Sequence, residues 1–302
     1  MSKVPDFFIA GAAKCGTTAL FDYLSAHPSV FMPRIKEPKY FCTDVKSTGG
    51  VYTADAYDAL FAAAPLGSLT GEASTMYLYS TVAIARIMQL NPRAKIIVML
   101  RYPADAAHSL YSARWGYGHE NMSSFEEAWR AQAARLSGEC VPPHWPDPKT
   151  LQYGAIYSYA PQVRRVLQYV PKDQRHFVVY EELFADSRRR YAEILEFLRL
   201  PNDDREVFPV VNPSMGARSR RLDELLRRPP KWLTALYAPI RPVMSASGLH
   251  PAGLVRRLNS APKQKSTLRP EFRAELERYF APGIAELEQL LDRPLWRDRA
   301  VH

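Results

Sequence analysis

The sequence predicts an α/β fold with a central parallel sheet flanked by helices in three layers. Short apolar runs typical of strands alternate with segments whose apolar residues repeat at helical spacing, and this alternation indicates a parallel sheet. A loop of small residues follows the first apolar run, and charged residues close two later runs. With 47% hydrophobic residues among 302, the chain is long enough to bury a large core.

The first strand is expected at Phe7–Gly11 and the first helix at Thr17–His27. The amides that open such a helix lack partners within it and lie at the positive end of its dipole, so the intervening loop favours a phosphate. Gly11 and Gly16 keep the G-x-x-x-x-G spacing of a Walker A loop, but Thr17 stands where that motif has lysine. The loop is therefore P-loop-like without being a Walker A motif.

The remaining elements continue the alternation. Further strands are expected at Leu69–Glu72, Lys95–Arg101 and His176–Tyr180, and further helices at Thr81–Leu90, Ala104–Trp115, Ser123–Ser137, Ser158–Val170 and Arg188–Leu200. Ligands of parallel sheets bind at the carboxyl ends of the strands. Lys14, Glu72 and Arg101 follow or close three strands, so we expect all three at one edge, where a nucleotide would bind.

Three segments, in this order along the chain, resemble those of sulfotransferases that use 3′-phosphoadenosine-5′-phosphosulfate. Lys14–Thr18 is similar to the family's 5′-phosphosulfate loop. Ile35–Phe41 is similar to a segment of the glycan-type branch, which includes the heparan sulfate sulfotransferases. Ile97–Pro103, with Ser109 eight residues after Arg101, is similar to the family's 3′-phosphate site.

The resemblance implies one sulfotransferase domain over residues 1–302 and a set of site residues. The implied catalytic residues are Glu37 and Lys14, and the implied nucleotide contacts are Lys14, Cys15, Gly16, Thr17, Thr18, Arg101, Ser109, Lys263 and Lys265. The last two lysines belong to residues 259–302, which resemble the segment that closes the family's site over the 3′-phosphate. The usual Lys-Gly-Arg is absent there, and which lysine makes the contact stays open.

The expected chemistry is positioning and charge neutralisation, as in phosphoryl transfer. Amides and hydroxyls at the start of the first helix can hold the 5′-phosphate, and Lys14 can neutralise the charge that the leaving group gains. A sulfuryl group carries one charge fewer than a phosphoryl group, so no metal is expected. Glu37, between Lys36 and Lys39, is the candidate base that takes the acceptor's proton.

Two more residues near the expected site bear on its function. One has two interpretations, and the other narrows the choice of acceptor. Cys15 is either a small residue that fits the loop or a thiol whose pKa the loop amides lower. Ala73 follows Glu72 where the glycan-type branch has a lysine that faces the active site. The missing charge argues against a heparan-like polyanion. The acceptor is expected to be a hydroxyl or amine of a saccharide, a glycolipid or a metabolite.

The net charge of +9 suits an anionic partner such as a nucleotide. The sequence has no Cys/His zinc spacing and no ribonucleoprotein-type aromatic motif, so no nucleic-acid partner is expected. Three cysteines are too few for a disulfide framework and favour a reducing compartment. No signal sequence precedes the first strand, and no apolar run nears the ~20 residues of a membrane span. We expect a soluble, cytoplasmic, bacterial protein.

The alternation breaks at residues 216–258, which we expect to be an insertion or lid within the domain. Prolines divide this stretch into short pieces that combine basic, aromatic and aliphatic residues. Three interpretations stay open: a surface insertion with its own small apolar cluster, a lid over the acceptor, or peripheral membrane contact through residues 218–258.

Two other classes of function are weighed against sulfuryl transfer. A P-loop kinase would use ATP and Mg²⁺ on a similar loop, but Thr17 and the lack of a Walker B strand disfavour it. A catalytically inactive, basic nucleotide- or membrane-binding module would be expected to lack Lys14 or Glu37, and both residues are present.

Overall fold

A computed structural model of the chain describes residues 4–46, 49–143, 145–209, 215–217, 260–262 and 267–296. The chain divides into two compact units. Unit 1 comprises Met1–Leu110, Pro146–Val211 and Arg269–His302, and unit 2 comprises Tyr111–Trp145 and Asn212–Leu268. The single domain expected over residues 1–302 stays a prediction. Nearly all of the expected insertion at 216–258 lies outside the described residues.

A five-stranded parallel sheet in the order β2-β3-β1-β4-β5 forms the centre of unit 1. Its strands are β1 Phe7–Gly11, β2 Val30–Phe31, β3 Leu69–Ala73, β4 Lys95–Leu100 and β5 Arg175–Val179. The side chains of β1, the middle strand, are buried throughout, as expected for a parallel sheet covered on both faces. The predicted α/β class with a central parallel sheet is confirmed.

Helices follow the strands along the chain. They are α1 Thr17–Ser25, α2 Ala54–Ala59, α3 Ala83–Leu90, α4 Pro103–Gly116, α5 Phe125–Arg130, α6 Gln132–Leu136, α7 Tyr153–Tyr157, α8 Tyr159–Tyr169, α9 Tyr180–Ala185, α10 Ser187–Leu198 and α11 Pro270–Leu291. In unit 2, the short strands β6 Met215–Ala217 and β7 Ser260–Pro262 pair antiparallel. Among the helices described, none has both the length and the apolar composition needed to cross a membrane.

The structure differs from the predicted elements in three places, and the local sequence explains each difference. The helix expected at Ser123–Ser137 is two helices, and the first starts after a capping box in which Ser124 and Glu127 bond each other's backbone amides. The two-residue strand β2 is too short to show a period. Helix α9 follows β5 without a loop, so its pattern merges with that of the strand.

The C-terminal helix α11 packs on α8 within unit 1. Phe272, Leu276 and Phe280 are buried one helical turn apart and form the apolar stripe of α11. Beyond the helix, the Trp296 indole donates to the Glu181 carboxylate at 2.8 Å. These contacts bring the end of the described chain to α9, which follows a strand of the central sheet.

Candidate active site

The loop between β1 and α1 requires glycine at two positions. Gly11 ends β1 with φ +144°, and a Cβ there would lie 2.7 Å from the Thr75 carbonyl oxygen. Gly16 precedes α1 with φ +87°, and a Cβ there would lie 3.1 Å from the rings of Tyr180 and Phe184. Both the backbone conformation and the available space therefore favour glycine.

The start of α1 offers amides to an anion. The first bond within the helix runs from the Leu20 amide to the Gly16 carbonyl at 3.1 Å, so the amides of Thr17 and Thr18 precede it. Within the part of the chain that the structure describes, no side chain caps this end of α1. Free amides and the positive end of a helix dipole favour an anion, and the anion site at this position stays a prediction.

Two tyrosines, one from α7 and one from α8, bind the backbone of this loop and the backbone of the residue that follows β4. The Tyr157 hydroxyl donates to the Ala13 carbonyl oxygen at 2.9 Å. The Tyr159 hydroxyl donates to the Arg101 carbonyl oxygen at 3.1 Å. Both tyrosines are buried, so these bonds fix the loop and the end of β4 to the same pair of helices.

The side chain of Cys15 belongs to the core. Its sulfur is fully buried and lies 3.5 Å from the Tyr159 hydroxyl, and its amide donates to the Ala12 carbonyl at 3.3 Å. Burial raises the pKa of the thiol to about 12. The interpretation of Cys15 as an activated thiol is therefore wrong, because the burial of the sulfur in the core outweighs the contacts that lower its pKa.

Lys14, Lys36 and Arg101 bring three positive charges together. The Arg101 Nη1 donates to the Lys14 carbonyl oxygen at 3.2 Å, and the guanidinium lies 4.5 Å from the centre of the Tyr180 ring. Burial lowers the pKa of the Lys14 ammonium, and the charges of Arg101 and Lys36 lower it further. The buried Arg101 Nε has no hydrogen-bond partner among the described residues. A bound anion would stabilise such a cluster.

Glu37 lies beside the carboxyl end of β3. Its amide donates to the Ala73 carbonyl at 2.9 Å. Its Oε1 accepts from the Lys36 Nζ at 3.3 Å and from the Thr75 hydroxyl at 3.2 Å, and its Oε2 lies 3.9 Å from the Lys39 Nζ. The side chain remains 31% exposed, so the carboxylate is held in place and is still accessible from solvent.

The Glu37 segment, Ile35–Phe41, is fastened at two further points. The Lys39 amide donates to the Ser74 hydroxyl oxygen at 3.0 Å, and the Phe41 amide donates to the Tyr77 hydroxyl oxygen at 3.5 Å. Glu37 has φ +62° and Lys39 has φ +57°, in the left-handed region that non-glycine residues rarely adopt. Such conformations persist where surrounding bonds enforce them, and here those bonds come from β3 and the residues after it.

Glu72 does not join Lys14 and Arg101 at the ligand edge, contrary to expectation. It is fully buried, and its Oε2 accepts from the hydroxyls of Tyr57 at 2.7 Å and Tyr77 at 2.9 Å. Burial raises the pKa of Glu72 to about 7, although neighbouring hydroxyls lower it. In the pairing of β3 with β1, Glu72 stands opposite Phe8, and its side chain enters an aromatic cluster instead of the site.

Of the other predicted nucleotide contacts, Ser109 lies among the described residues and the two lysines do not. Ser109 lies half-buried on α4, the helix that follows Arg101. Lys263 and Lys265 lie outside the described residues, so the choice between them stays open. Thr75 and Tyr180 were not predicted, because a lone threonine and a lone tyrosine carry no motif. Among the described side chains, no group of three or more His, Cys, Asp or Glu could hold a metal ion.

The sequence was compared with known families and curated proteins. The model of a family described as "Sulfotransferase domain" matches residues 4–215, more than half of the chain. The chain is 30% identical over 202 residues to the bifunctional heparan sulfate N-deacetylase/N-sulfotransferase 4 of Mus musculus, covering 65% of this chain and 22% of that protein. It is 29% identical over 199 residues to the heparan sulfate glucosamine 3-O-sulfotransferase 3B1 of Mus musculus, covering 66% and 47%. The match thus spans less than half of either relative.

Among solved structures, the chain is similar to a sulfotransferase from Alicyclobacillus acidocaldarius. The TM-score is 0.70 at 27% sequence identity, and the match covers 96% of this chain and 97% of the other. This structural likeness extends over nearly the whole of both chains, in contrast to the partial matches with the curated relatives.

Proposed function

This chain belongs to the sulfotransferase family, and on that premise we propose that it transfers the sulfuryl group of 3′-phosphoadenosine-5′-phosphosulfate to a hydroxyl or amine of a saccharide, glycolipid or metabolite. Sulfuryl transfer is the activity of the family, and the donor and the acceptor class are our proposal. The observation that carries it is the cluster of Lys14, Lys36 and Arg101 beside the uncapped start of α1.

The residues present fit a nucleotide with two anionic ends. The amides of Thr17 and Thr18 and the Lys14 ammonium suit the 5′-phosphosulfate. Arg101 suits the 3′-phosphate, because its buried Nε lacks a partner within the described residues and a phosphate oxygen would satisfy it. Ser109 can add a hydroxyl donor. When bound, the donor supplies an activated sulfuryl group and a phosphate as leaving group.

The side chains then have separable roles in the reaction. Lys14 neutralises the negative charge that develops on the leaving phosphate. Glu37 accepts the proton that the acceptor hydroxyl or amine releases as its oxygen or nitrogen bonds to sulfur. Lys36, Lys39 and Thr75 orient the Glu37 carboxylate through the contacts described above.

The acceptor and the cellular compartment extend the proposal. The names of both mammalian relatives concern heparan sulfate, which favours a saccharide. Ala73 is small and buried and brings no charge to the end of β3, which favours a less anionic acceptor than heparan sulfate. Cys15, Cys42 and Cys140 are all free thiols, and we therefore propose a reducing compartment such as the cytoplasm.

Ligand-dependent thermal stability tests the donor assignment. Adenosine 3′,5′-bisphosphate, the product of the proposed donor, is expected to stabilise the protein equally with and without EDTA. At about 100 times its dissociation constant it should add about 2.7 kcal/mol to the free energy of unfolding. ATP with Mg²⁺ should stabilise the protein far less, since it lacks a 3′-phosphate.

Arg101→Ala and Ser109→Ala provide the controls for this experiment. Each variant should bind adenosine 3′,5′-bisphosphate more weakly and should bind adenosine 5′-phosphosulfate, which lacks the 3′-phosphate, almost as the unmodified protein does. Equal stabilisation by ATP, or a bisphosphate effect that EDTA abolishes, would contradict the proposed donor and favour a kinase-like site.

A further inference from the structure

Glu72 is a buried acidic group that the proposed reaction does not use. One carboxyl oxygen accepts two tyrosine hydroxyls, and the other, Oε1, is buried without a partner among the described residues. A buried carboxyl with half of its hydrogen-bonding capacity unused destabilises the folded state. Its presence at this position therefore calls for a role outside stability.

The surroundings of Glu72 lead directly to the Glu37 segment. The Tyr77 hydroxyl donates to Glu72, and the same hydroxyl oxygen accepts the Phe41 amide. The Ser74 hydroxyl oxygen accepts the Lys39 amide and lies near enough to Glu72 to lower the pKa of its carboxyl, but no hydrogen bond joins Ser74 to Glu72 among the described residues. The Tyr77 hydroxyl thus connects the buried carboxyl to the Glu37 segment.

We propose that Glu72 is a positioning residue that orients the Tyr77 hydroxyl, so that its oxygen accepts the Phe41 amide and holds the segment that carries Glu37 at the acceptor. The role assigned to Glu37 rests on the proposed function, but the positioning by Glu72 can be tested without turnover.

The argument depends on the single hydrogen of a hydroxyl group. A tyrosine or serine hydroxyl can donate one bond, and its lone pairs accept. When the hydrogen points to the Glu72 carboxylate, only lone pairs remain for the backbone amides of the Glu37 segment. A carboxylate binds a hydroxyl about twice as strongly as a neutral acceptor does, so the ionised form of Glu72 fixes this orientation more firmly.

Tyr57 provides a matched comparison within the same cluster. It donates to the same Oε2 atom as Tyr77, but its hydroxyl accepts no amide of the Glu37 segment in the bonds described. Its ring stacks on Tyr40 at 4.4 Å and packs edge-on against Phe41 at 5.4 Å, contacts that a phenylalanine would retain. Removing either hydroxyl therefore takes one hydrogen bond from the Glu72 carboxyl. Only the Tyr77 change also removes the oxygen that accepts the Phe41 amide of the Glu37 segment.

The charge on Glu72 changes near neutral pH. Four titratable groups interact with Glu72: Tyr57 from α2, Tyr77 from the chain after β3, and Glu37 and the Cys42 thiol from the chain after β2. Burial, with the charge of Glu37, places the pKa of Glu72 at about 7, above its ordinary value. The folded protein thus retains a proton that the unfolded chain releases, so this group's contribution to stability falls as pH rises towards and through 7. Positioning by the carboxylate strengthens over the same interval.

Amide hydrogen exchange measures the positioning directly. In Tyr77→Phe, the protection factor of the Phe41 amide is expected to fall by about fivefold or more, the equivalent of one hydrogen bond. In Tyr57→Phe, the same protection factor should stay near that of the unmodified protein. Equal protection in all three proteins would overturn the proposal, whether or not an acceptor is known.

Glu72→Gln separates positioning from a purely structural role. The ratio of kcat in the unmodified protein to kcat in Glu72→Gln should rise by about fivefold between pH 6 and pH 8. The thermal stability of the unmodified protein minus that of Glu72→Gln should fall between pH 6 and pH 8. The donor affinity of Glu72→Gln should equal that of the unmodified protein. A structural role would move rate and stability together, and that result, or a flat rate ratio, would overturn the proposal. If the unmodified protein transfers no sulfuryl group, the proposed function fails, and amide exchange in Glu72→Gln still decides on Glu72: the protection factor of the Phe41 amide should fall in this variant, and an unchanged value would overturn the proposal.

Discussion

The Gly11–Thr18 loop and the Glu37 segment are held by different kinds of contact. The loop is fixed through its own backbone: the Ala12 amide donates to the Met99 carbonyl at 2.7 Å, and the Tyr157 hydroxyl binds the Ala13 carbonyl. The Glu37 segment bonds one backbone carbonyl and then two side-chain hydroxyls that arrive after β3. Donor binding should therefore tolerate changes in most side chains, whereas placement of the base should not.

If the proposed roles hold, the difference separates donor binding by the loop from catalysis by Glu37. Backbone amides and a helix dipole attract an anion whatever the neighbouring side chains are. A base must instead lie within hydrogen-bond reach of the proton that it removes, and a shift of about 1 Å can cost ~10²-fold in rate. The comparison predicts that substitutions around Glu37 lower kcat at constant donor affinity, and that replacing Lys14, the one charged side chain of the loop, lowers both kcat and donor affinity.

Glu37→Gln should produce the largest loss of rate. The amide keeps the shape of the side chain but cannot accept the acceptor's proton, so kcat should fall by about 10²–10⁴. Calorimetry with adenosine 3′,5′-bisphosphate should give an affinity within a few-fold of that of the unmodified protein. A rate near that of the unmodified protein would remove Glu37 from the mechanism and break the proposed division between the two regions.

Lys14→Ala should differ in kind. In the proposed reaction the ammonium faces the bound phosphosulfate in the ground state and the leaving phosphate in the transition state. Both donor affinity and kcat should therefore fall, the latter by about 10²–10³. Lys39→Ala is the matched control, because this lysine contacts Glu37 and is no part of the loop. Its donor affinity should stay near that of the unmodified protein. Intact donor affinity in Lys14→Ala would show that the backbone alone holds the donor.

The sequence predicted the loop well because its determinants are local. Glycines at positions 11 and 16, the lysine between them and the helix that starts at Thr17 are all visible in one short segment, and β1 has the predicted bounds. The bounds of β3, β4 and β5 differ from the predicted ones by one residue at one or both ends. β1 and β4 are short apolar runs that precede helices, which is a pattern that sequence identifies well.

The surroundings of Glu37 were predicted less completely because they depend on contacts distant in sequence. Glu37 was named as the candidate base, which stays a prediction, but Thr75, which donates to its carboxylate, was not named. Glu72 was expected at the ligand edge because it closes a predicted strand, and ligands of parallel sheets bind at the carboxyl ends of the strands. Its burial follows from tyrosines at positions 57 and 77 that reach one carboxyl oxygen, and no period or spacing in the sequence announces such a convergence.

Tyr180→Leu should give the smallest effect and tests how the two phosphate ends are distinguished. The Tyr180 ring lies under the Arg101 guanidinium, and such a cation–π contact contributes about 1 kcal/mol, or about fivefold in affinity. Leucine fills much of the space beside Gly16 but presents no aromatic face, so the affinity for adenosine 3′,5′-bisphosphate should fall about fivefold.

Tyr180→Phe retains the ring and should bind like the unmodified protein. The affinity for adenosine 5′-phosphosulfate should change little in either variant, because Arg101 is assigned to the 3′-phosphate. If phenylalanine weakens binding as much as leucine does, the hydroxyl and not the ring face supports Arg101; if both nucleotides lose affinity equally, Tyr180 supports the loop through Gly16 and not the 3′-phosphate site.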